Sequence, residues 1–311
     1  MSSWLRAPVT AAHWPLIALG VLLVASAPAQ QEAQARVAPL PDGVTKHPDI
    51  AYAEIEGVDP QRLMLDLYRP EGAESAPIML FIHGGGWSRG DRSAVWRKPE
   101  FFCGSGWLFA SANYRFVPEV TPAEQVRDIA RAVAWLRDNA AQFGGDPERI
   151  FLMGHSAGAH LVALVSTDPR PLEEAGLSLS ALSGTVVIDT GTLDLEAHMR
   201  SVGARAALWV NVFGDDPEGW RPLSPLAQVA PDAGIPPFLL LMQGTRTRRE
   251  NAQRFADALV MCGVEAEAVH LPGHTHASIN RSVGEPGDPT TEAVAGFLSG
   301  LGAPVSCRGT D

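Results

Sequence analysis

Glu148-Arg149-Ile150-Phe151-Leu152-Met153-Gly154-His155-Ser156-Ala157-Gly158-Ala159-His160-Leu161-Val162 is the stretch that decides the fold. Its first six residues read as a short buried strand, and the residues from Ala157 to Val165 read as a helix. Between them, Gly154 to Gly158 has the form G-x-S-x-G. A serine on so tight a strand-to-helix turn is pushed into a strained, exposed position that suits a nucleophile. Small flanking residues let the backbone turn without side-chain clash. The five-residue pattern alone arises by chance roughly 0.1–0.2 times in a chain of this length, so its meaning rests on what surrounds it.

Upstream, the apolar run Pro77-Ile78-Met79-Leu80-Phe81-Ile82 reads as a strand buried on both faces, and His83-Gly84-Gly85-Gly86-Trp87 follows it directly. Successive glycines allow backbone N–H groups to face a cavity with no side chain in the way. In acyl transfer the carbonyl oxygen becomes an oxyanion, and losing one preorganised donor costs about 3–4 kcal/mol of barrier. The N–H of Ala157, next after the serine, is the remaining donor of such a hole. A phosphate-binding loop is excluded: no Lys-Ser/Thr follows the glycines, and the G-x-G-x-x-G spacing breaks at Arg89.

Downstream, Pro272-Gly273-His274-Thr275-His276-Ala277 lies beyond the last strand-like run. A serine hydroxyl is a poor nucleophile until a positioned imidazole takes its proton. His276 is the candidate base and His274 the alternate. The His-x-His pair lacks a third obvious ligand, so no metal is expected. His155 and His160, on either side of the serine, read as structural or as supports behind the reacting groups.

Strand and helix signals alternate along the chain. Strands are expected over Ile50–Ile55, Leu63–Tyr68, Pro77–Ile82, Trp107–Ala112, Ile150–Met153, Gly184–Ile188, Pro237–Met242 and Val264–Leu271, the first two as a hairpin at a sheet edge. Helices are expected over Pro122–Ala141, with Thr121 as N-cap, and over Glu250–Cys262 and Thr290–Leu301. This rhythm implies an α/β fold, a mostly parallel central sheet with helices on both faces. In such sheets ligands gather beyond the C-terminal strand ends, where every candidate above falls. The segments 167–183 and 191–235 interrupt the alternation. They read as a small cap that shapes the pocket, with Trp87 flanking the glycine loop and lining it.

The first 29 residues read as an export signal: Arg6, then the apolar stretch Trp14 to Val24, then Ala27-Pro28-Ala29 with cleavage before Gln30. Residues 30–46 read as a linker or surface arm, 47–303 as the folded domain and 304–311 as a tail. The expected location is periplasmic or secreted, with no membrane span once the signal is removed. The 311 residues carry 35 acidic and 24 basic side chains, a net charge of −11. That balance argues against nucleic acid as a partner. Three cysteines, Cys103, Cys262 and Cys307, allow at most one disulfide, with Cys262 and Cys307 the conceivable pair. Nothing in the sequence fixes the oligomeric state.

HGGGW, GHSAGAH and the terminal GHTHASI, in this order, resemble the α/β-hydrolase superfamily, in its branch of carboxylesterases and of feruloyl- and acetyl-esterase-like enzymes. Gly90-Asp91, Ala112-Asn113-Tyr114-Arg115 and Gly145-Asp146-Pro147-Glu148-Arg149-Ile150 match that branch too, and the likeness runs from about Ala51 to Leu301. It implies hydrolysis of a small-molecule carboxylic ester through an acyl-enzyme, with no cofactor. Ser156 is then the nucleophile and His276 the base, while Gly85, Gly86 and Ala157 supply the oxyanion donors. Amide hydrolysis of the formamidase-like kind and a hydrolase-like binder without activity are the alternatives. One family element is missing. The acid of the triad normally sits in a turn shortly after the strand Pro237–Met242, and here that turn, residues 244–249, holds no carboxylate. Asp189, at the end of the preceding strand, takes the role in this reading, with Glu250 second and Asp194 third.

Overall fold

The computed structural model describes residues 40–202 and 206–305. The expected export signal, residues 30–39 of the expected arm, and Cys307 lie outside the described residues. The strands are β1 (Val44–Ala51), β2 (Met64–Pro70), β3 (Ala76–Ile82), β4 (Leu108–Ala112), β5 (Gly145–His155), β6 (Leu182–Ile188), β7 (Phe238–Met242) and β8 (Ala266–His270). They form one sheet in the order β1-β2-β4-β3-β5-β6-β7-β8. β1 and β2 are antiparallel to their neighbours, and β3 to β8 run parallel.

The main helices are α1 (Lys98–Cys103), α2 (Pro122–Asn139), α3 (Ala157–Val165), α4 (Arg246–Met261), α5 (Ser278–Arg281) and α6 (Pro289–Gly300). α2 starts where the sequence says it should. Thr121 accepts from the Glu124 N–H, and the Glu124 carboxylate accepts from the Thr121 N–H, so two otherwise orphan donors are satisfied.

The central strands are apolar on both faces because both are covered. Ile78, Leu80 and Ile82 of β3 join one core layer with Val126, Ile129 and Val133 of α2. Met79 and Phe81, pointing the other way, join a second layer with Phe102 of α1 and Leu298 of α6. From β3 the chain steps outward to β4, then returns to β5 on the other side of β3. This reversal opens a crevice at the carboxyl ends of β3 and β5. The glycine loop leaves β3 there, and Ser156 leaves β5.

Several boundaries differ from the sequence reading. β1 begins at Val44, inside the stretch expected to be an arm, and ends at Ala51 rather than Ile55. It is a half-exposed edge strand with a register break between His47 and Ile50, around Pro48, so its apolar alternation is too weak to read. The folded unit also passes residue 303: Val305 is buried, and the Pro304 carbonyl accepts from Trp107 Nε1 at 3.1 Å. Finally, α4 starts at Arg246, four residues before Glu250.

Candidate active site

The turn between β5 and α3 is built by its glycines. A Cβ on Gly154 would lie 2.3 Å from the Gly158 carbonyl oxygen, and one on Gly158 would lie 2.2 Å from that of Ile82. Helix α3 therefore packs against the strand ends more closely than any side chain allows. Ser156, between them, adopts φ 56° and ψ −115°, a left-handed conformation that costs on the order of 1–3 kcal/mol and is held by its surroundings. Its N–H donates to the Ile188 carbonyl of β6 at 2.9 Å, and the His160 N–H donates to its carbonyl at 3.1 Å.

Ser156 Oγ lies 2.9 Å from His276 Nε2, and His276 Nδ1 lies 2.6 Å from Asp189 Oδ2. A carboxylate only accepts, so Nδ1 carries the proton and Nε2 is free to accept from the serine hydroxyl. Three of the sequence candidates are thus brought into one hydrogen-bonded chain. Asp189 is fully buried, directly follows β6, and has φ 50°. Burial opposes its ionisation. The hydrogen bond from His276, the nearby Arg248 charge and the bond from Gln243 outweigh that, and its carboxyl is held below the usual range. Gln243 Nε2 donates to Asp189 Oδ2 at 2.7 Å and Arg248 Nη1 at 3.0 Å. The segment after β7 holds no carboxylate at Asp189's place; Gln243, next after β7, and Arg248, in the first turn of α4, are donors to the carboxylate that follows β6.

The other candidates go elsewhere. Glu250 pairs with Arg246 on the exposed face of α4. Asp194 caps the helix Leu195–Ser201 and pairs with Arg254. The His274 ring turns towards Ser278, Thr290 and Asp288, at the start of α6.

His155 has a positioning role, through a contact that the sequence did not show. Its Nε2–H donates to the His276 carbonyl at 2.8 Å, and the two rings sit 4.6 Å apart. Burial, then the neighbouring His276, pushes its pKa down to about 3, so the ring is neutral and fixed as an Nε2–H donor. His160 Nε2–H donates to the Leu223 carbonyl at 2.8 Å, while its Nδ1 accepts from Trp87 Nε1 at 3.2 Å.

Gly85 and Gly86 have φ 139° and 61°, and a Cβ on Gly85 would sit 1.8 Å from the Arg89 carbonyl oxygen. The loop thus folds back on itself beside Ser156. The N–H groups of Gly85, Gly86 and Ala157 donate to no other backbone carbonyl in the loops and turns of the described residues. Gly85, Gly86 and Ser156 line a cavity of about 610 Å³.

That cavity opens away from the expected cap: none of the described residues between 157 and 275 lines it. Trp87 is 4% exposed and does not line it either. The indole packs edge-on against Phe213, Trp209 and His160, with centroids at 4.9, 5.6 and 5.5 Å. The cap aromatics bury the glycine loop's tryptophan and brace the loop from behind.

Lys98 of α1 is fully buried and makes no ion pair among the described residues. Its Nζ donates to the Asn280 carbonyl at 2.7 Å and lies over the Phe81 and Trp96 rings, 4.7 and 5.2 Å from their centroids. Burial brings its pKa down to about 7. Among the described residues, no group of three or more His, Cys, Asp or Glu side chains is placed to hold a metal ion.

The family model BD-FAE matches residues 65–249, from β2 into the first turn of α4. The chain belongs to the BD-FAE family. Among relatives of this BD-FAE chain is esterase LipC of Mycobacterium tuberculosis, 30% identical over 259 residues, covering 78% of this chain and 63% of LipC. The isoprenylcysteine alpha-carbonyl methylesterase of Arabidopsis thaliana is 27% identical over 236 residues, covering 71% of this chain and 55% of that protein. The chain thus spans just over half the length of that methylesterase. Esterase 2 of Thermogutta terrifontis has a solved structure that superposes with a TM-score of 0.65 at 26% identity, covering 86% of this chain and 98% of that one. Esterase B of Lactobacillus rhamnosis shares the fold, with a TM-score of 0.67 at 23% identity over 88% and 91%.

Proposed function

We propose that this BD-FAE protein is a serine hydrolase that cleaves a carboxylic ester through an acyl-enzyme. The observation that carries the reading is the continuous chain from Ser156 Oγ through the His276 ring to buried Asp189, at the mouth of the glycine loop. The esterase names of its relatives support the same chemistry.

In this mechanism His276 Nε2 takes the Ser156 proton as Oγ attacks the ester carbonyl, and the ring becomes an imidazolium stabilised by Asp189. The carbonyl oxygen gains charge and is met by the N–H groups of Gly85, Gly86 and Ala157. The imidazolium returns its proton to the departing alcohol. The acyl group stays on Oγ until a water, deprotonated by the same ring, attacks it and restores the hydroxyl. Asp189 stays ionised throughout, because Gln243 and Arg248 hold its charge.

The test is hydrolysis of short-chain and aryl 4-nitrophenyl esters by the wild type and Ser156→Ala. The reading predicts turnover by the wild type and a fall of roughly 10⁴-fold or more in kcat for the variant. Equal rates for the two proteins would sink it. We also read residues 1–29 as an export signal, from the charged, apolar and small-residue blocks around Arg6, Trp14–Val24 and Ala27–Ala29. N-terminal sequencing of the exported protein should then begin at Gln30, and an intact Met1 on it would reject the signal.

A further inference from the structure

The cavity at Ser156 is lined by two arginines that have no partner among the described residues. Arg89 follows the glycine loop, its backbone packed against Gly85, and Arg281 ends α5, five residues after His276. One arginine therefore belongs to the segment that carries the glycine loop and the other to the segment that carries His276. Neither side chain makes an ion pair or hydrogen bond with the described residues, whereas Arg92, Arg97, Arg115, Arg127 and Arg131 nearby all pair with carboxylates.

Asn280, beside Arg281, also lines the cavity and is 2% exposed, and its side-chain Oδ1 is a buried acceptor without a hydrogen-bond partner among the described residues. Behind it, Lys98 Nζ donates to the Asn280 backbone carbonyl. The one acidic side chain on the lining, Asp91, is occupied locally by the Ser93 N–H at 2.8 Å and Asn113 Nδ2 at 3.5 Å. Two guanidinium groups against one carboxylate leave this lining with a net charge of +1 in a chain of net charge −11. Guanidinium groups bind carboxylates through paired N–H donors.

We infer that the wall between Arg89 and Arg281 is an anion subsite, and that the preferred ester carries a free carboxylate on the part that occupies this cavity. The inference rests on the ester-hydrolase reading of Ser156 and names the substrate class. The carboxylate takes no part in bond making. It fixes the ester so that its carbonyl lies between Ser156 and the glycine loop, and the arginines are specificity residues.

The experiment compares mono-4-nitrophenyl glutarate with neutral 4-nitrophenyl pentanoate, on the wild type, Arg89→Gln, Arg281→Gln and the double variant. The wild type should prefer the glutarate in kcat/KM. Each single substitution should lower that preference by roughly tenfold, and the double substitution by more. Added salt should lower it too, because both arginines are reached by solvent. In parallel, NMR titration of Ser156→Ala with monomethyl glutarate should show binding that is lost when Arg89 and Arg281 are also Gln. A wild type that turns over pentanoate as well as glutarate, with a ratio that stays within about twofold in the double variant, overturns the subsite and leaves the ester reading intact. If neither ester is cleaved but monomethyl glutarate binds through the arginines, the subsite stands and the ester reading fails. Absence of both cleavage and binding overturns both.

Discussion

Two residues of the site, Ser156 and Asp189, stand at positive φ, 56° and 50°, each directly after or within the end of a strand. The Ser156 N–H bonds to the carbonyl of Ile188, the residue before Asp189, so nucleophile and acid are locked to each other through β5 and β6. Asp189→Asn keeps this backbone but offers His276 an amide, which permits the wrong tautomer. It should lower kcat for ester substrates by roughly 10⁴-fold, whereas Glu250→Gln should leave kcat unchanged. A large loss in Glu250→Gln with none in Asp189→Asn would move the acid to α4. Residues 244–249 hold no carboxylate, and it was the resemblance to hydrolases with the acid at the neighbouring strand end that pointed to Asp189, directly after β6, ahead of Glu250 and Asp194. It did not reveal that Gln243 and Arg248 reach across to Asp189, or that His155 holds the His276 backbone. Those are contacts between segments far apart in the chain, and no local pattern encodes them.

At the level of elements, the junction of β5 and α3 carries the site, and its steric demand is the most legible feature of the chain. Gly154 and Gly158 are needed because helix and strand backbones meet there, which a G-x-S-x-G pattern announces. Gly158→Ala would press a methyl against the Ile82 carbonyl, at the root of the glycine loop. It should destabilise the fold by about 1–3 kcal/mol and reduce activity, seen as an earlier urea midpoint. An unchanged midpoint with full activity would show that the junction has slack. The buried strands β3 to β7 were legible for the same kind of reason: continuous apolar runs with both faces covered. β1 was legible as the edge partner of β2 but not in its bounds, since an edge strand with a proline and a register break keeps little alternation. The cap was misread in a third way. Its length marked an excursion, but the sequence could not say that its aromatics would cover Trp87 rather than line the cavity.

Over the whole molecule, the sheet order puts the glycine loop, Ser156, Asp189 and His276 at one edge, and their supports come from both core layers. Lys98 is such a support, and it leaves a thermodynamic mark. Its pKa is about 7 in the folded protein against an ordinary value of 10.5. Between those values the unfolded chain holds a proton that the folded chain has released, so this group adds stability as pH rises through that window. Below about pH 7 both states are protonated and the full cost of the buried charge remains. Unfolding free energies measured from pH 6 to 10 should therefore rise more steeply for the wild type than for Lys98→Met, and identical slopes would refute the assignment. The account as a whole stands on Ser156 as the nucleophile of a working triad. The most direct measurement is peptide mapping by mass spectrometry after treatment with a fluorophosphonate, which phosphonylates an activated serine. The triad predicts a single adduct on Ser156 in the wild type, a much slower reaction in Asp189→Asn and none in Ser156→Ala. An adduct on any other residue, or no adduct on the wild type, would contradict it.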